Sequence, residues 1–140
     1  MPSPMPALLA IALVAIPLKA EMDRRAQAEA LVAEALAVLR SSGLDKLVHE
    51  INHANGRLAK KDASSPQLII YDLNGKTLAY AGDSRHIGMD HSKAMTAFFR
   101  HSRPIHKGWY PPRSEAGTTP TAIYFEKVGD ILITATLHLH

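Results

Sequence analysis

The hydrophobic period of this chain changes at Pro66, and that change constrains its fold more than any other feature. From Met22 to Arg40 the apolar residues Ala28, Val32, Ala35 and Leu39 recur at helical spacing, with Leu31 and Val38 beside them. One long amphipathic helix is expected there. Ser41-Ser42-Gly43 ends it, and a second helix over Leu44 to Ala54 carries Leu44, Leu47, Val48 and Ile51 on one stripe, with Asn55-Gly56 as its stop. The link from Lys60 to Pro66 is polar and aperiodic. After Pro66, QLIIYD and KTLAYA flank Asn74-Gly75, and TAIYFEK and ILITATLH flank Val128-Gly129-Asp130, so two β-hairpins are expected. Between them, HSKAMTAFFRH (His91 to His101) has the composition of a short helix, and Gly108-Trp109-Tyr110 opens a further strand. Helices followed by strands predict an antiparallel sheet with helices to one side, an α+β domain. A chain of 140 residues has room for one such core.

Parity along the last hairpin groups Ile123, Phe125, Ile131, Ile133 and Leu137 on one face, and Tyr124, Thr134, Thr136 and His138 on the other. The aliphatic face is expected to meet the long helix. Hydroxyls and an imidazole on the second face suit a small pocket, the plainer reading being an exposed face with Thr chosen for strand propensity.

The first 20 residues, MPSPMPALLAIALVAIPLKA, stand apart from this pattern. Their apolar run from Ala7 to Leu18 is shorter than the roughly 20 residues that cross a bilayer, and Pro17 interrupts it. An export signal or N-terminal anchor is expected over 1–20, followed by one domain over 21–140, placed in the periplasm or outside the cell. Beyond Ala20, 15 basic residues face 13 acidic ones without long blocks of one sign, which excludes a nucleic-acid footprint. The absence of cysteine excludes disulfides and thiolate metal sites.

HEINHANGRLA, residues His49 to Ala59, fits the zinc-protease pattern H-E-x-x-H-x-x-G-x-x-H except at its end, where Ala59 replaces a third ligand. Histidines four apart share one helical face, as zinc requires of two ligands, and Glu50 between them is placed to polarise a water. A zinc hydrolase built on His49, Glu50 and His53 is therefore an alternative, against the expectation that these are surface residues of a structural helix. No Ser-His-Asp order, phosphate-cradling glycine loop or paired-carboxylate motif accompanies it. No catalysis and no cofactor are expected.

Ile51-Asn52, Gly56-x-Leu58, Tyr71-Asp72-Leu73-Asn74-Gly75, Ile87-Gly88, Gly108-Trp109-Tyr110 and the run from Tyr124 to Asp130 occur in an order and spacing that resemble the single Cache domain, a PAS-like extracytoplasmic sensor module. The resemblance spans about Arg25 to His138. It implies a five-stranded antiparallel sheet, a long N-terminal helix and a second helix packed on one face, and a ligand pocket between the sheet and the segment from Tyr80 to Tyr110. Thr121 stands where members often carry Lys, and Thr136-Leu137-His138 where they often carry Gly-x-Tyr. Those departures leave open altered ligand contacts or a binding-incompetent scaffold of the same fold. The chain is similar to a stand-alone soluble member, with a signalling partner protein and, through its N-terminal helix, a dimer as expectations.

The pocket residues expected on this reading are Tyr71, His86, Arg100, Trp109, Tyr124, Thr136 and His138. Guanidinium and imidazole groups near the covering segment, where His86, His91, His101 and His106 also lie, suit a carboxylate or other organic anion. Trp109 and the tyrosines supply rigid walls with polar edges.

Overall fold

Gly43, at φ 86°, lets the chain leave one helix and enter the next without a break between them. Its N–H donates to the Leu39 carbonyl at 3.0 Å and its own carbonyl accepts from the Leu47 N–H at 3.2 Å. The computed structural model describes residues 5–112 and 121–138, with side chains from residue 19 onward. Helix α1 (Met5–Ser42) and helix α2 (Leu44–Asn52) precede β1 (Gln67–Asp72) and β2 (Thr77–Tyr80). A 3-10 turn (Ser84–His86), α3 (Thr96–Ser102), β3 (Lys107–Tyr110), β4 (Thr121–Val128) and β5 (Ile131–His138) complete the order. The helical backbone of α1 begins before the expected Met22, in keeping with the Ala- and Leu-rich sequence there. Among the described residues no helix is long and apolar enough to cross a membrane.

The strands form one antiparallel sheet in the order β2-β1-β5-β4-β3, the α+β architecture expected from the change of period. On one face, Ala28, Val32, Ala35, Leu36 and Val38 of α1 and Leu47 and Ile51 of α2 pack on Leu68, Ile70, Ala79, Ala81, Ile133, Ala135 and Leu137. Alanines at five of these positions let helix and sheet approach closely, so burial comes from contact area rather than side-chain bulk. On the other face, Ile69, Tyr71, Ile123, Phe125 and Leu132 form a second core with Phe98 and Phe99 of α3.

This division corrects the expected faces of the last hairpin. Gly129-Asp130 is a two-residue turn between the paired Val128 and Ile131, so Ile123 stands opposite Thr136, Phe125 opposite Thr134, and Tyr124 opposite Ala135. Directly opposed residues share a face, so an odd-numbered residue of β4 shares its face with an even-numbered one of β5. Ile123 and Phe125 therefore join the threonines, while Tyr124 joins Ile133 and Leu137 on the helix side.

Local chemistry explains the short motifs. Asp72 Oδ1 accepts the N–H groups of Asn74 and Lys76, each at 2.9 Å, and Gly75 at φ 90° closes the turn into β2. Asn52 Oδ1 accepts the Tyr80 N–H at 3.0 Å and so ties the end of α2 to the edge strand. Asn52→Ala should lower stability by ~1–2 kcal/mol, because the Tyr80 donor loses its partner in a half-buried place. A shift of the urea midpoint at constant slope measures it, and no shift would mean that solvent replaces the amide.

Candidate functional site

After β2 the chain folds back along the open edge of that strand. The Thr77 N–H donates to the Met89 carbonyl at 2.8 Å, the Gly88 N–H to the Thr77 carbonyl at 2.7 Å, and the His91 N–H to the Gly75 carbonyl at 2.9 Å. A side chain on Gly75 would meet Ser92 at 2.9 Å, so glycine is what permits this close return. The return covers an unpaired strand edge and delivers His91 over the second face of the sheet.

There His91 Nδ1 lies 3.1 Å from Tyr71 Oη and 3.4 Å from Thr77 Oγ1. Its Nε2 lies 3.2 Å from His86 Nδ1. His86 stacks on Tyr80 with ring centres 4.1 Å apart and planes 11° from parallel, and its Nε2 is 3.7 Å from Asp83 Oδ2. Asp83 holds Arg85 through two bonds of 2.9 Å, and that guanidinium with the Arg85 N–H keeps the carboxyl down at about 2. Burial, then Tyr80, pushes the Tyr71 phenol well above its usual range. Burial and then Asp83 also raise Tyr80, against a hydrogen bond from Gln67 that lowers it. His91 is held below the ordinary imidazole value by burial and by His86, with Asp90 opposing.

Beside this polar cluster the same face is packed with rings. Phe98 meets Phe99 at 5.2 Å and Phe125 at 5.7 Å, and Tyr71 meets Phe99 at 5.1 Å, all edge to face. Toward the other end of the strands lie half-buried Tyr80 and Tyr110 and the buried Thr136, which carry hydroxyls on the same face. A cleft of about 220 Å³ opens at the C-terminal end of α3, floored by Phe99 and Leu132 and flanked by Arg103 and Lys127.

Of the expected pocket residues, Tyr71, His86 and Thr136 belong to the second face or its cover. His138 ends the described part of β5 half-buried, its carbonyl accepting from Arg24 Nη2 on α1. Trp109 and Tyr124 are corrected to the opposite face, because the register of β4 with β5 and β3 places both toward α1. Trp109 Nε1–H donates to Glu29 at 3.1 Å, and the Arg25 guanidinium lies 4.5 Å from its ring centre. These two aromatics pack toward α1, on the face away from Tyr71 and His86. Arg100 is corrected to the exposed side of α3, since Phe98, Phe99 and Ser102 occupy its buried side.

The four loop histidines separate. His86 and His91 pair, whereas His101 leans on Tyr110 at 5.3 Å and His106 is exposed 3.9 Å from Glu126. Thr77, Met95 and His91 itself were absent from the expected pocket. The cluster of histidines in the covering segment included His91, but its pairing with Tyr71, twenty residues away, has no sequence signature.

His49 and His53 stack at 4.9 Å, and His53 Nδ1 accepts the Asn55 N–H at 3.3 Å. Glu50 is committed to the Arg57 N–H at 2.6 Å and to Lys46 at 3.0 Å, which together lower its pKa, the Arg57 bond first. Among the described residues no group of three His, Cys, Asp or Glu side chains is placed to hold a metal. The residues of HEINH thus serve the end of α2, with Glu50 engaged by Arg57 and Lys46 rather than free beside the two imidazoles.

No protein-family model matches the chain, and no curated protein matches its sequence. Its fold is similar to a solved structure described as a periplasmic sensor domain of a chemotaxis protein, with a TM-score of 0.53 and 14% identity over 91% of this chain and 98% of that one. At that identity the likeness is one of fold.

Proposed function

We propose that this chain is an exported, non-catalytic sensor domain of the single Cache type, which binds a small organic molecule, a carboxylate in chemistry, and passes its bound state to a partner protein. The observation that carries the reading is the split character of the second face, sealed by aromatic rings at α3 but bordered beyond them by half-buried Tyr80 and His86, with the hydroxyl-bearing Thr136 buried on the same face. A fold shared with a periplasmic sensor domain supports it, as does the apolar run from Ala7 to Leu18. Donors at one end of an apolar wall suit a molecule with a carboxylate and a short carbon skeleton. The mechanism is a population shift: the guest favours the form in which the segment from Tyr80 to Tyr110 is closed, and the partner recognises that form.

A thermal-shift screen of small carboxylates and neutral metabolites on the full chain tests it. One compound should raise Tm in proportion to the logarithm of its concentration, and Tyr80→Phe with Thr136→Val should weaken its binding about tenfold or more. Loss of binding in Arg103→Gln instead would move the site to the cleft beside α3. The second reading, a scaffold that binds nothing, is favoured by the filling of this face with Phe98, Phe99 and Phe125, and silence across the whole screen would support it.

A further inference from the structure

We infer that His86 and His91 form an acid-sensitive latch that holds the segment from Asp83 to His91 closed over β2 at neutral pH and releases it when both rings carry a proton. This rests on the proposed function only for its consequence, which is acid release of the guest under the segment. The latch itself stands on the contacts of the ligand-free chain.

The distances allow one continuous chain of hydrogen bonds with both rings neutral. Tyr71 Oη–H donates to His91 Nδ1 at 3.1 Å, His91 Nε2–H donates to His86 Nδ1 at 3.2 Å, and His86 Nε2–H faces Asp83 at 3.7 Å. One added proton is accommodated by reversing the direction. His86 then carries both of its N–H groups, His91 donates through Nδ1 to Tyr71, and the phenol donates to Met95 Sδ at 3.4 Å. A second proton has no such arrangement, because two N–H groups would face each other across the gap between the rings. The surroundings offset that second charge only in part. From β1 and β2 the ring of His91 meets Tyr71, Thr77 and Tyr80, none of them a carboxylate, and what Met95 at the N-terminal end of α3 offers is a thioether beside the Tyr71 hydroxyl. Asp90 beside it is already occupied by the Ser92 N–H at 2.8 Å and lies near Lys93, and Asp83 is occupied by Arg85.

Direction follows from linkage. His91 binds its proton less readily in the closed form than in water, so the open form takes up more protons as pH falls. The latch is therefore fully stable above about pH 6.5, the ordinary imidazole value, and is lost as pH falls from there through the lowered value of His91. Because the segment is fastened to β2 and to the turn before it by the backbone bonds of Thr77, Gly88 and His91, release should appear at those amides.

Amide hydrogen exchange on the full chain without ligand, corrected for the intrinsic pH dependence of exchange, tests the latch between pH 7.5 and 5. Protection at Thr77, Gly88 and His91 should fall about tenfold or more, while Ile133 in the sheet centre stays constant. His86→Gln, which keeps a hydrogen-bonding group but removes one charge, should reduce that fall to about twofold or less. An NMR titration of the imidazoles in the native chain provides a check independent of any variant: His91 should titrate together with the loss of protection. Constant protection across the range, an equal fall in His86→Gln, or a His91 titration uncoupled from exchange would overturn the latch. Such a result would leave the ligand reading intact, and a silent ligand screen would leave the latch intact.

Discussion

Gly56→Ala is expected to cost ~3 kcal/mol or more, or to prevent folding, although the residue lies in an exposed loop and its φ is ordinary. The reason is a backbone approach: a β-carbon on Gly56 would sit 2.2 Å from the Glu50 carbonyl oxygen and 2.7 Å from its carbon. No rotamer relieves such a contact, because both sides are main chain. Relief by moving the loop would break the bond from the Leu58 N–H to the same Glu50 carbonyl at 3.0 Å, and would draw Leu58, 3% exposed, out of the core under α1. Urea unfolding followed by circular dichroism measures the loss. Gly43→Ala is the comparison: it has nothing within 4 Å but sits at φ 86°, so only about 1 kcal/mol of backbone strain is expected. A Gly56→Ala loss no larger than that of Gly43→Ala would mean that the loop relaxes freely.

Gly56 also shows why the segment from His49 to Ala59 admits two readings as letters. The same glycine fits a metalloprotease pattern and a helix stop, and what separates them is whether Glu50 is free to act on water. Its carboxylate is spent on Arg57 and Lys46, and its carbonyl on Leu58. None of these bonds has a sequence pattern of its own. By contrast, the order and type of the elements were legible, because the periods of 3.6 and 2 extend over enough residues to outweigh local exceptions. The faces of β4 differ from the expectation for a reason of the same simplicity: parity carries across a hairpin only once the number of turn residues is known, and Val128-Gly129-Asp130 allows either count. Arg100 was misplaced although its phase was readable, since Phe98 and Ser102, four residues apart, define a stripe from which it points away. His91 and Tyr71 meet only because the chain doubles back along β2, a long-range event that composition does not encode.

Phe125→Ala should cost ~3–5 kcal/mol, the range for emptying a buried aromatic site, and its size bears directly on how much of the second face a guest can use. Phe125 has no exposed surface, and its ring is met edge-on by Phe98 at 5.7 Å and by His101 at 6.0 Å. Walls of an open pocket are held by fewer neighbours, so truncating one loses less and leaves space already hydrated. A core position loses dispersion contacts on every side and leaves a dry void. A loss near the upper figure, read from the urea midpoint at unchanged slope, would place the aromatic half beyond any guest's reach and confine binding to the end marked by Tyr80, His86 and Thr136. A loss below about 1 kcal/mol would mean that α3 shifts to refill the space, so that this half of the face is itself deformable and open to a ligand. The two outcomes predict opposite behaviour toward small aromatic probes. A rigid void in Phe125→Ala should be refilled and restabilised by a benzene-sized molecule, whereas a face that has already collapsed offers such a probe nothing.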